Sequence, residues 1–305
     1  MTEAAVGARR APSADVLRQV RRLELTARGL VNAAFAGEYR SVFTGSGMEF
    51  AEVREYQSGD EVRTIDWNVT ARMGRPFVRR YVEERERTVM VAIDASASTR
   101  FATAGRFKNE LAAEFAAVVA LCAIRSNDRV GGLMFTDRVE HLIPPAKGRR
   151  HALRLVRDVL AVEPAGRGTD LAAALTALTR MTTHRAIVFV LSDFDARDWE
   201  GPLARLARRH DTIAVPIEDP AERSLPDAGV VRFVDPESGI EVEANTSDPR
   251  VRAAYAEQVC SDRATRSAAF RRARVDEIAV RTDRGYAREL LAFFRRRLAR
   301  RGGRK

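Results

Sequence analysis

The chain has 305 residues, 45% hydrophobic and 31% charged, which suits one large or two modest globular domains and excludes a disordered or fibrous protein. Two cysteines exclude a disulfide framework, no apolar run approaches the roughly 20 residues of a membrane span, and the start lacks a signal-peptide pattern, so a soluble, cytoplasmic protein is expected. The net charge of +10 is uneven: residues 250–305 carry +11, which leaves the rest nearly neutral and excludes a polycation throughout.

A helix is expected over residues 13–32, where Val16, Val20, Leu23 and Leu30 recur near helical spacing. After it the pattern is short, mixed and punctuated by Gly45, Gly47, Gly59 and Gly74. This predicts a small helical and β-rich unit, residues 1–87, appended to a larger domain. From Thr88 apolar runs alternate with helical stretches, the mark of an α/β domain with a mainly parallel sheet over residues 88–300. Its first strand is a short apolar run ending at Asp94. A helix from about Gly105 places Phe107, Leu111, Phe115, Val118, Val119 and Cys122 on one stripe, which makes Cys122 a core residue rather than a nucleophile. Residues 129–135 and 139–143 read as a hairpin. A helix over 149–161 is followed by the loop 163–170, where Thr169 or Asp170 can cap the helix carrying Leu171, Leu175 and Leu178. The unbroken apolar run 186–191 predicts a central strand buried on both faces, ending at Ser192 and Asp193. Helix 198–209, strand 212–217, hairpin 230–245, helix 248–274, strand 277–281 and helix 284–300 complete the alternation. The hairpin and long helix form an insertion at about 230–274, and residues 301–305 form a basic tail.

The strongest chemical signal is Asp94-Ala95-Ser96-Ala97-Ser98 at the end of the first strand of the α/β domain. Ligand sites of open α/β sheets lie beyond the carboxyl ends of their strands. One carboxylate and two hydroxyls at alternate positions turn three oxygens towards one point, and oxygen ligands of this kind suit Mg2+. Thr169 and Asp193 end later segments on the same rim. Singly, these residues are turn formers, a helix cap and a loop carboxylate; together they make a site.

The set resembles the metal-ion-dependent adhesion site of von Willebrand factor A domains, in which Asp-x-Ser-x-Ser, a later Thr and a later Asp follow in this order. The match runs over residues of about 88–300, onto Asp94, Ser96, Ser98, Thr169 and Asp193, although Ser192-Asp193-Phe194 stands where that family has Thr-Asp-Gly. The resemblance implies a doubly wound, Rossmann-type α/β fold with helices on both faces. It further implies Mg2+, or Mn2+ or Ca2+ in its place, held directly by the serines and Thr169 and largely through water by the aspartates, with a partner carboxylate as the last ligand.

A second stretch runs from Gly47 to Trp67 and includes Arg54, Tyr56, Gly59, Asp60, Arg63 and Asp66, with Ala71 and Arg72 following. It is similar to a large bacterial family known as domain of unknown function number fifty-eight, as is the end around Phe293 to Arg297. That likeness implies a non-enzymatic adaptor beside a MoxR-type AAA+ ATPase, acting in chaperone-like assembly or maturation of a client that offers an Asp or Glu. The alternating charges of Arg54, Asp60, Arg63 and Asp66 are expected to pin the appended unit to the α/β domain, with Trp67 packed beneath, in preference to catalysis.

Two rivals remain. Asp193-Phe194-Asp195 superficially resembles the nucleophile loop of haloacid dehalogenase-like, Mg2+-dependent phosphohydrolases, but Arg197 stands where that family has Thr. The arginine-rich end favours nucleic acid by charge alone. Leu290, Phe294 and Leu298 nevertheless give the last helix an apolar face, so the arginines are expected on its solvated side and nucleic acid is disfavoured.

Overall fold

The computed structural model describes residues 14–31, 36–43, 48–83, 86–103 and 105–302. Gly45 and Gly47, the expected helix ends Ser13 and Asn32, and residues 303–305 of the basic tail lie outside them. Two helices come first, α1 (Ala14–Leu30) and α2 (Ala36–Phe43). Then come β1 (Met48–Glu55), the short helix α3 (Trp67–Met73) and β2 (Phe77–Glu83), with β1 and β2 antiparallel. The body alternates through β3 (Thr88–Asp94), α4 (Lys108–Arg125), β4 (Arg129–Phe135), β5 (Val139–Ala146) and α5 (Arg149–Ala161). It continues with α6 (Leu171–Met181), β6 (Ala186–Ser192), α7 (Glu200–Arg209) and β7 (Asp211–Glu218). An antiparallel arm, β8 (Val230–Val234) and β9 (Glu241–Asn245), leads into α8 (Pro249–Ala273). The chain ends with β10 (Asp276–Glu277), β11 (Val280–Arg281) and α9 (Ala287–Gly302).

The main sheet runs β10-β7-β6-β3-β4-β5, with β11 also on β7, and β4–β5 is its antiparallel pair. Side chains alternate across a strand, so a strand covered on both faces must be apolar throughout. Val89, Val91 and Ile93 of β3 enter one core, lined by α1, α2, α4, α5 and α9. Met90 and Ala92 enter the other, lined by α6, α7 and α8.

Three sequence-based expectations need correction. The boundary at residue 87 does not divide the chain, because α1 and α2 belong to the first core. Tyr39, Val42 and Phe43 are buried there, Tyr39 Oη donates to Asp128 Oδ2 at 3.2 Å, and the Phe43 ring meets Phe189 and Phe294 edge-on at 6.3 and 6.1 Å. An apolar helical stripe records that a face is buried, not which neighbour buries it. Phe107 leaves the expected stripe and is exposed, since α4 begins one residue later. The last strand is split in two: the Ile278 N–H still bonds the Ala214 carbonyl, but strand pairing lapses between Glu277 and Val280.

Candidate functional site

The rim is built at the carboxyl ends of β3 and β6. Asp94, the last residue of β3, is 1% exposed; its Oδ1 accepts from the Ser96 N–H at 3.0 Å and its Oδ2 from Ser192 Oγ at 2.7 Å. Ser96 Oγ and Ser98 Oγ share a hydrogen bond of 3.0 Å, and Ser98 Oγ donates to Asp193 Oδ2 at 3.3 Å. Four of the five expected residues thus form one hydrogen-bonded row.

Thr169 differs. Its loop is tied to the rim where the Ala97 N–H bonds the Arg167 carbonyl at 3.0 Å, and to the end of β4 where the Asp170 N–H bonds the Thr136 carbonyl at 2.9 Å. Gly166 fits because its backbone passes against Thr136 and Asp137, where a Cβ would collide with both side chains. Asp170, not Thr169, caps α6, accepting from the Ala173 N–H at 2.8 Å. The Thr169 hydroxyl donates instead to Glu237 Oε1 at 2.7 Å.

The departure at Phe194 has a physical solution. Phe194 takes a left-handed backbone with φ of 62°, a conformation that costs a side-chain-bearing residue about 1–2 kcal/mol. Its ring is buried against Trp199 at 5.5 Å and Phe270 at 4.9 Å, and its N–H bonds Ser192 Oγ at 3.1 Å. Burying an aromatic side chain returns roughly 2–3 kcal/mol, which covers the strain. The left-handed turn after Asp193 is therefore held without glycine.

Two rim residues had no signal in the sequence. Lys108, 1% exposed, opens α4 and reaches Asp193 Oδ2 at 3.2 Å, with Glu222 in closer contact still. Burial alone would lower the pKa of this ammonium; Asp193 and Glu222 outweigh that and hold it above its ordinary value. Asp94 has no ion pair among the described residues. Burial, and then the nearby charge of Asp193, push its carboxyl up to about 7. Two carboxylates and three hydroxyls fit a hard cation, and Asp94 is the group a cation would relieve. Among the described residues no cluster of three or more His, Cys, Asp or Glu is arranged to hold an ion, so an ion at this rim depends on the hydroxyls as well.

The second stretch folds differently from expectation. Arg54 holds Asp60 through two bonds of 2.9 and 2.6 Å, and Asp60 also accepts from the Gln57 N–H at 2.8 Å. Asp66 caps α3 through the Asn68 and Val69 N–H groups and takes Arg79 Nε at 2.7 Å. These bonds staple β1, α3 and β2 to one another and do not pin the unit to the α/β body. Trp67 is 67% exposed rather than packed beneath, and Val62 and Met73 are exposed as well. Tyr56 is half-buried, its N–H bonded to the Pro76 carbonyl at 2.8 Å; Gly59, with φ of 108°, makes the turn before Asp60, and Arg63 and Arg72 are exposed.

The arginine-rich end is corrected in one place. Arg297 is not solvated: it binds Asp211 and Asp276 and lies 5.2 Å from the centres of both the Phe43 and Phe293 rings. That guanidinium is spent on the fold, which weakens the nucleic-acid reading further.

The mainly parallel sheet with helices on both faces is the doubly wound α/β class that the sequence implied. No helix among the described residues is long and apolar enough to cross a membrane. An aerotolerance-related membrane protein from Bacteroides fragilis is similar to this chain at 14% identity and a TM-score of 0.47, over 70% of this chain and 99% of that one. The SpRpn10 VWA domain aligns at 14% identity and a TM-score of 0.32, over 43% of this chain and 75% of that one. Uncharacterized protein Rv1480 of Mycobacterium tuberculosis is 34% identical over 277 residues, 90% of this chain and 87% of that protein. The family model described as protein of unknown function DUF58 matches residues 52–265. On that match and that relative, the chain belongs to the DUF58 family.

Proposed function

We propose that this protein is a binding adaptor rather than an enzyme. With Mg2+ at the rim it captures a carboxylate of a partner, and it works with a MoxR-type AAA+ ATPase in chaperone-like assembly or maturation of a client complex. The observation that supports this best is the row of oxygens from Asp94 through Ser96 and Ser98 to Asp193. Asp94, Ser96, Ser98, Thr169 and Asp193 would hold the ion, with Mn2+ or Ca2+ as alternatives. A divalent ion there supplies a positive centre that favours an incoming Asp or Glu.

The chain's own groups prepare the rim. Ser192 and the Ser96 N–H fix the Asp94 carboxylate, and Lys108 pairs with Asp193. Buried Cys122, its thiol pushed up to about 12, is no nucleophile. Immobilised wild type and Asp94→Ala, each with Mg2+ and with EDTA, test the reading when offered a purified MoxR-type ATPase. Capture by wild type in Mg2+ alone is expected. Equal capture under all four conditions would refute the metal bridge, and capture in none would refute the ATPase partnership.

A further inference from the structure

The β8–β9 arm has little holding it except its base and its tip. At the base, buried Thr246 bonds back to Gly229: its N–H and Oγ1 both donate to the Gly229 carbonyl, at 2.7 and 2.9 Å. Along the arm, Val230, Val234, Ile240 and Val242 are all exposed, so apolar burial does not clamp it to the body. At the tip, Asp235 accepts from the Glu237 and Ser238 N–H groups at 3.1 and 3.2 Å, which shapes the turn and aims Glu237. Glu237 Oε1 accepts from Thr169 Oγ1 at 2.7 Å, and its Oε2 lies 3.8 Å from the place a Cβ would occupy on Gly168. A carboxylate of this chain therefore rests on the one rim hydroxyl that the other four residues do not engage.

We propose that the arm supplies the acidic ligand of the rim in cis, Glu237 taking the place an incoming partner carboxylate would take. This rests on the metal-site reading and goes beyond it by naming what closes the site. The contact is well suited to being displaced. One hydrogen bond to a charged group is a modest tether, and the arm has few other attachments. It is also selective, because a tethered acid competes at an effective concentration on the order of millimolar. Free small carboxylates lose that competition. A partner must bring further contacts along with its acid.

The test uses Mn2+ as the probe on the full chain, reading its affinity and the proton relaxation of water on the bound ion. Wild type, Glu237→Gln and Asp94→Ala are compared. Wild type is expected to bind Mn2+ and Asp94→Ala to lose it. Glu237→Gln should bind about tenfold more weakly, in the range expected when a carboxylate leaves the neighbourhood of a bound ion. It should also show higher relaxation per bound ion, because water replaces the carboxylate. Added acetate should then lower that relaxation in Glu237→Gln and leave wild type unchanged. Equal affinity and relaxation in wild type and Glu237→Gln, with Asp94→Ala still inactive, would overturn the arm's role and leave the metal site standing. Absence of Mn2+ binding by wild type would overturn both.

Discussion

Asp94 and Asp219 lie at the ends of two parallel strands of the same sheet, β3 and β7, and are equally buried at 1% and 0% exposure. Their surroundings are opposite. Asp219 accepts from the Thr103 and Ala221 N–H groups, each at 3.0 Å, from Thr282 Oγ1 at 2.7 Å, and from the Thr103 hydroxyl. Burial alone would raise its pKa, but these donors together hold it below the ordinary carboxylate value. Asp94 has the Ser96 N–H with the Ser96 and Ser192 hydroxyls, and faces the negative charge of Asp193. Burial therefore does not distinguish the two carboxylates; the donors and the charges around them do. Asp219 is a fastener joining the loop after β3 to the strand ends at β7 and β11. Asp94 is short of positive charge.

The largest effect should come from the fastener. Asp219→Ala takes the carboxylate from two hydroxyls and two N–H groups, of which the Thr282 hydroxyl is left buried, and should lower unfolding stability by about 2–3 kcal/mol, read by denaturant titration. A loss under about 1 kcal/mol would mean water replaces the carboxylate and the contrast is weaker than the geometry implies.

Asp94 should act in the reverse direction. Its folded pKa of about 7 lies above the unfolded value of 3.8, so the native state holds the extra proton between these values. Stability should fall as pH rises from about 4 to about 7, then level off. Asp94→Asn should lose that fall and be more stable than wild type by about 1–2 kcal/mol near pH 8 in EDTA. Mg2+ should raise the melting temperature of wild type more at about pH 8 than at about pH 5, and leave Asp94→Asn unmoved. Thermal scans across that pH range in EDTA and in Mg2+ check both points. A wild-type stability independent of pH would contradict the charge deficit.

Legibility in the sequence followed the range of the interaction. The double-faced core was plain because unbroken runs such as 186–191 have no other use. Asp94, Ser96 and Ser98 were plain because one turn of chain carries all three, and Asp193 because it ends the next strand over. What stayed hidden depends on distant segments meeting. Thr169 and Glu237 are 68 positions apart and Lys108 and Asp193 are 85 apart, and no periodicity announces such pairs. The second stretch shows the same limit at short range. Its charges do form ion pairs, but Asp66 chooses Arg79 across the hairpin rather than the neighbouring Arg63, because capping α3 points the carboxylate that way. Trp67 comes out exposed at the opening of α3, where none of the seven helix residues is buried and the expected packing beneath has no partner.

The smallest stability change is expected at Ser98, and it isolates the rim from the fold. Ser98 is half-buried; Ser98→Ala leaves Asp193 with Lys108 and takes the Ser98 partner from the buried Ser96 hydroxyl, which keeps the Asp94 carboxylate beside it. Its stability in EDTA should stay within about 0.5 kcal/mol of wild type. The Mg2+-induced rise in melting temperature should nevertheless shrink, because a hydroxyl ligand has been removed while both carboxylates remain. Thermal scans of Ser98→Ala beside Asp94→Asn separate the two contributions. A full Mg2+ response in Ser98→Ala would mean that charge alone draws the ion and that the row of hydroxyls is only structural. A response lost together with folding stability would mean that Ser98 belongs with Asp219, among the fasteners.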